Sequence, residues 1–147
     1  MSNANIKPPT LSVGVVPILF CSEQKLPPLF LLLRVYGYWD FPKGVTESDE
    51  NPKKTALREL GEETGIKKTK FSWGDVFLET EPYSKGKIAR YYVAEVFSKE
   101  VELLKNPVTG QIEHHEFRWC TFEEAYELLN TRVQKILVWA NGVSKSS

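Results

Sequence analysis

Residues 51–65, Asn-Pro-Lys-Lys-Thr-Ala-Leu-Arg-Glu-Leu-Gly-Glu-Glu-Thr-Gly, constrain the fold more than any other stretch of this chain. Both ends of a helix are written into them. Asn51 is suited to cap the first backbone donors, and Pro52 is tolerated in the first turn because its missing N–H has no partner there. Gly65 supplies the left-handed residue that closes such a helix. At about 100° per residue, Ala56, Leu57, Leu60 and Thr64 fall on one flank and Glu59, Glu62 and Glu63 on another. The spacing therefore predicts a helix over 52–64 with an apolar stripe packed on a sheet and an acidic edge turned outward or into a cleft.

That acidic edge calls for a cation. Like charges three or four residues apart on a helix repel by a few tenths of a kcal/mol per pair, roughly. Arg58 is placed to hold a carboxylate in a forked pair, but one guanidinium cannot neutralise all of them. Clustered carboxylate oxygens suit hard ions such as Mg²⁺ or Mn²⁺, which keep several waters and are shared with substrate phosphates. The plain alternative is a solvated acidic face.

Elsewhere the chain reads as one domain. It has 147 residues, 41% of them hydrophobic, enough for a proper core. Lys+Arg and Asp+Glu balance at 19 each, so no global field draws it to nucleic acid or an anionic membrane. Segment 1–10 reads as a flexible entry, 11–142 as the domain and 143–147 as a tail. The longest apolar run, 11–20, contains Pro17 and is too short to span a bilayer. The expectation is a cytoplasmic protein with two reduced structural thiols, Cys21 and Cys120.

Strands are predicted over 11–20, 29–36, 71–79, 88–97 and 116–120. Segment 37–50, with Gly37, Pro42 and Gly44, reads as an irregular connection, and 83–87 as a turn. Thr121 with Glu124 forms a capping box for a helix to about 129. Thr131 with Gln134 repeats the pattern before a last helix whose Val133, Ile136, Leu137 and Ala140 recur at helical spacing. This order suggests a mixed sheet covered by helices.

The pattern Gly44-x5-Glu50-x7-Arg58-Glu59-Leu60-x-Glu62-Glu63-x-Gly65-Ile66 satisfies every fixed position of the Nudix box, and a chance match is on the order of 10⁻⁹ per starting position. The chain thus resembles the Nudix hydrolases, which implies an α/β/α sandwich with a mixed sheet and metal-dependent hydrolysis of nucleoside diphosphate derivatives. The resemblance carries metal binding onto Glu59, Glu62 and Glu63 with the Gly44 carbonyl, support of the site onto Glu50, and orientation of the glutamates onto Arg58. The resemblance also implies a further glutamate outside the box as metal ligand or base, carried onto Glu113, six residues before Trp119, against the alternative of a surface loop residue and with Glu116 as its competitor. Whether Glu59 or Glu113 takes the proton stays open, and Glu63 is counted with them among the catalytic candidates. His114 and His115 could contact phosphate or a base, but adjacent histidines in a loop without other ligands read more simply as solvated.

Tyr38-Trp-Asp-Phe-Pro-Lys-Gly44 and the stretch from Tyr83 through Glu-Phe-Arg-Trp119 resemble the diadenosine tetraphosphate hydrolase branch. That likeness implies phosphate contacts for Lys43, Lys85 or Lys87 and base stacking for Tyr83 or Tyr91, each against the alternative of a surface lysine or sheet packing. The substrate expected is a nucleotide with a polyphosphate chain, with ATP and AMP as products. The RNA 5′ end is the rival substrate, and a nucleotide-sensing module without turnover is the rival class. No membrane partner is expected.

Overall fold

A computed structural model describes residues 10–21, 25–47, 49–112, 114 and 116–145. Eight strands and three helices follow in the order β1 (Leu11–Leu19), β2 (Leu29–Val35), β3 (Tyr38–Asp40), β4 (Lys43–Val45), α1 (Pro52–Thr64), β5 (Thr69–Lys70), β6 (Phe77–Glu79), β7 (Ile88–Val96), β8 (Glu116–Cys120), α2 (Phe122–Leu128) and α3 (Thr131–Ser144). The strands form one mixed sheet with helices on both faces, as the resemblance implied.

The sheet is built on the parallel pairing of β1 with β7, which runs from Leu11 opposite Ile88 to Leu19 opposite Val96. Antiparallel β2 joins β1 only at its far end, Ile18 opposite Phe30 and Leu19 opposite Leu29. The near half of β1 takes β4 instead, with Val13 opposite Gly44. β2 carries β3 along one edge and β8 along the other. The sheet thus forks at the middle of β1, and the two arms diverge around the β3–β4 connection.

Both faces of these strands are covered, so their side chains are apolar on both sides rather than alternately wet. Phe30 and Leu32 of β2 point with Tyr91 and Val93 of β7 toward α2 and α3, where Val133, Ile136, Leu137 and Ala140 close one core. Leu31 and Leu33 point with Tyr92 and Ala94 toward α1, where Ala56 and Leu60 close the other. Removing the Leu60 side chain beyond its Cβ would open a cavity costing about 2–5 kcal/mol.

Several sequence expectations are corrected. Segment 37–50 is not wholly irregular: 38–40 and 43–45 are strands, because a tight turn at Tyr36-Gly37 folds β3 onto β2 and the Pro42 carbonyl accepts from Val15 N at 3.1 Å. The strand expected over 71–79 is broken by a turn in which Gly74, at φ +82°, donates to Phe71 O, leaving β5 and β6 as separate short strands. The last helix is capped by Asn130, whose side chain accepts from Val133 N at 3.0 Å, one residue before the expected Thr131. Leu57 lies exposed, while Glu63 takes a buried place beside Leu60.

Candidate active site

α1 begins and ends as its sequence dictates: Asn51 accepts from Lys53 N at 2.8 Å, and Gly65, at φ +78°, returns its N–H to Gly61. Its apolar stripe against β1 turns the acidic edge toward the β4 arm and the loop after β7. Arg58 is the hub of that edge. It donates from Nε and Nη2 to the two oxygens of Glu50 at 2.7 and 3.0 Å, and from Nη1 to Glu59 and Glu62 at 3.1 Å each. Glu47 stands 3.7 Å away, and the Val45 carbonyl accepts from Nη2.

Glu50 also accepts from Thr55 Oγ1 at 2.7 Å and from Glu47 N. Hydrogen bonding from Arg58 and then Thr55 holds its carboxyl down at about 2. Glu59 behaves oppositely: burial pushes its pKa up and the Glu62 charge adds to this, against the opposing pull of Arg58 and a hydrogen bond with Glu63.

Gly44 explains how Glu59 is seated. A Cβ built on Gly44 would collide with the Glu59 carboxylate, so the carboxylate rests against bare backbone of β4. Glu63, only 8% exposed, lies at the same end of α1, with Nε2 of His114 at 3.9 Å from its Oε1. Among the described residues, no three Asp, Glu, His or Cys side chains already converge as a metal cage. Arg58 pairs with the carboxylates instead. The donor set still fits a hard divalent ion, because it is all oxygen, crowded, and set in a cradle that only glycine leaves open.

Beside this edge lies a cleft of about 390 Å³ bounded by the β2–β3 hairpin and by Thr109, Gln111, Ile112 and His114. Lys43, Glu63 and His114 line it, and Glu63 and His114 also face the acidic edge with Glu59 and Glu62. Lys43 is half-buried with Nζ 3.5 Å from Asp40 Oδ2. Burial alone would lower its pKa, but the Asp40 carboxylate and the phenols of Tyr83 and Tyr38 raise it, so the ammonium is held charged. Asp40 is anchored from within by Tyr91 Oη at 2.8 Å and its neighbouring Phe41 N at 2.7 Å.

The structure separates the expected substrate residues. Lys43 faces the cleft, whereas Lys85 and Lys87 are exposed on the turn after β6. Tyr83 is half-buried, with the Arg132 guanidinium 3.8 Å over its ring, in a second cleft of about 500 Å³ shared with Lys135 and Ile136. Tyr91 is corrected: it is fully buried, edge-on to Phe41, and its ring offers no face to a ligand. Its neighbour Tyr92 points to the opposite face and is buried there too, because helices cover both sheet faces.

Glu113 and His115 lie outside the described residues. Glu116 is paired with Arg34 at 3.0 Å and Arg118 at 3.3 Å on the far side of β2, which removes it from the acidic edge. Sequence reasoning missed Asp40 and favoured a solvated His114, which lines the cleft instead. Asp40 was legible only as one more residue of Trp-Asp-Phe-Pro, and His114 reaches Glu63 through a loop closure that spacing does not reveal.

The sequence matches the NUDIX domain family model over residues 8–140. It is 35% identical over 112 residues to the asymmetrical bis(5′-nucleosyl)-tetraphosphatase of Mus musculus, covering 72% of this chain and 73% of that one. To the Caenorhabditis elegans protein of the same name it is 31% identical over 107 residues, covering 67% and 72%. In three dimensions it is similar to a C. elegans Ap4A hydrolase binary complex, with TM-score 0.75 and 22% identity over 92% of this chain and 99% of that one. It is also similar to the NUDIX domain of Shewanella oneidensis NrtR complexed with ADP ribose, with TM-score 0.72 and 15% identity over 97% and 92%. Both structural likenesses bear on the fold alone.

Proposed function

The chain belongs to the Nudix domain family and is a hydrolase acting on phosphoanhydride bonds, and from that premise we propose that its reaction is asymmetric cleavage of a dinucleoside tetraphosphate, diadenosine tetraphosphate giving ATP and AMP. The observation that carries this reading is the sharing of Glu63 and His114 between the acidic edge of α1 and the cleft that holds the Lys43 ammonium. A polyphosphate lying in that cleft has a fixed cation along its chain and carboxylates at its anhydride.

Glu59, Glu62 and Glu63, with the Gly44 backbone and Glu113, are the groups to hold a divalent ion, Mg²⁺ or Mn²⁺. Such an ion, when bound, neutralises the bridging oxygens and acidifies water. The chain's own residues do the rest. Arg58 fixes the Glu59 and Glu62 carboxylates through Nη1, and Glu50 fixes Arg58 in turn. Lys43 binds phosphate oxygen, kept in place and charged by Asp40. A carboxylate, Glu59 or Glu113, accepts the proton of the attacking water as the new P–O bond forms and the bridging P–O bond breaks.

The test is a side-by-side assay of diadenosine tetraphosphate, triphosphorylated RNA and ADP-ribose with magnesium, products identified by mass. Equal ATP and AMP, with the tetraphosphate preferred, is the expected result. Two ADP per turnover, or preference for RNA, overturns the substrate assignment. Tight nucleotide binding without any turnover would favour a sensing module, against which stand all the box glutamates.

A further inference from the structure

Beyond Asp40, which holds Lys43, the β2–β3 hairpin presents two tyrosines at the mouth of the Lys43 cleft. Tyr36 is 73% exposed and Tyr38 51%, and Ile112 faces them from the opposite wall, itself half in water. We propose that this mouth is the subsite for the second nucleoside of the substrate, taking its purine base between the hairpin tyrosines and Ile112. The inference rests on the tetraphosphate reading and deepens it, because a dinucleotide needs a base site at each end of its phosphates.

The backbone supports this use of the hairpin. Tyr36 sits at φ +54° although Gly37 beside it, which would carry a positive φ without steric cost, does not. A bulky side chain in that region costs on the order of 1 kcal/mol or more, and such strain persists where the surroundings impose it. Here they do: Arg34 donates from Nη1 to the Tyr36 carbonyl at 2.7 Å and is itself fixed by Glu116 at 3.0 Å. The clamp fixes the Tyr36 backbone at the mouth of the cleft.

The facing wall is equally built. Asn106 accepts on its side chain from Val108 N and Thr109 N at 2.8 and 3.1 Å, and its own N–H reaches Gln111 O at 2.7 Å. Gln111 brings an amide to the rim, offering a donor and an acceptor to a base edge. Lys43 lines the same cleft as Tyr36 and Tyr38. A tetraphosphate held by Lys43 then has the hairpin tyrosines at one end of its phosphates.

The deciding experiment compares a non-hydrolysable methylene-bridged diadenosine tetraphosphate with adenosine 5′-tetraphosphate, which lacks the second base, by titration calorimetry. Wild type is expected to bind the dinucleotide roughly tenfold more tightly, the worth of one stacked base. Tyr36→Gly combined with Tyr38→Ala is expected to erase that difference, with only a smaller loss for the mononucleotide, whose phosphates meet Lys43 without the Tyr38 phenol beside it. Tyr36→Gly alone is expected to weaken only the dinucleotide while raising the thermal midpoint, since strain is relieved as the ring is lost. Equal affinities in wild type, or equal losses for both ligands, overturn the subsite. Failure of wild type to release ATP and AMP from diadenosine tetraphosphate would instead overturn the parent reading, and the calorimetry decides the subsite without turnover.

Discussion

Arg58 holds Glu50 through two parallel hydrogen bonds, Nε to Oε2 at 2.7 Å and Nη2 to Oε1 at 3.0 Å, across the junction between the loop after β4 and helix α1. The fork spends two of the guanidinium's three nitrogens on one anchor and leaves Nη1 for Glu59 and Glu62. Arg58 is thereby a fixed strut, and the acidic edge is ordered before any ligand arrives.

That pairing sets an acid limit on stability. Glu50 is held at about 2, below its ordinary value of 4.5, so its contribution is fully present above the ordinary value and is lost as pH falls from about 4.5 through about 2. Glu50→Gln is expected to flatten this part of the stability curve, measured as urea midpoints against pH. An unchanged slope would show that the fork contributes nothing to folding.

The cradle at Gly44 is expected to tolerate no side chain. Its φ is not in the left-handed region, so alanine is compatible with the backbone but drives the Glu59 carboxylate away. Gly44→Ala should lower turnover about a hundredfold, the scale of a one-ångström misplacement, while circular dichroism stays that of wild type. Wild-type turnover would remove Glu59 from its assigned position.

Tyr91 acts from the core rather than on substrate. Tyr91→Phe removes the 2.8 Å hydrogen bond to the buried Asp40 and is expected to cost about 1–3 kcal/mol in urea unfolding. The effect on KM should be small unless Lys43 also shifts, which Asp40→Asn would report directly.

Lys87 stands on the exposed turn after β6, near the second cleft. Lys87→Ala is expected to raise KM for a tetraphosphate more than for a shorter polyphosphate, since it offers charge to the far end of the chain. Equal changes in both would separate this turn from phosphate binding.

Much of this architecture was legible because its signals are local. The Asn51 cap, Pro52, the Gly65 stop and the Thr121–Glu124 capping box each act within a few residues, and the structure has them where the sequence put them. Strands β3 and β4 were hidden because they are defined by partners on β2 and β1, not by their own composition. The same holds at Tyr91 and Leu57, where what packs on a face decides burial and periodicity alone cannot. Among site residues, those on one helix could be grouped from spacing, whereas Asp40 and His114 are brought to the cleft by a hairpin and a loop.

The central claim is that the carboxylates of α1 serve phosphoanhydride cleavage, and the rate of ATP and AMP release from diadenosine tetraphosphate under magnesium titration, wild type against Glu63→Gln, tests it most directly. The expected result is saturable activation by magnesium in wild type and a loss of at least about a hundredfold in the variant, with its thermal midpoint retained. Turnover of Glu63→Gln within about threefold of wild type at the same magnesium concentration would contradict the account.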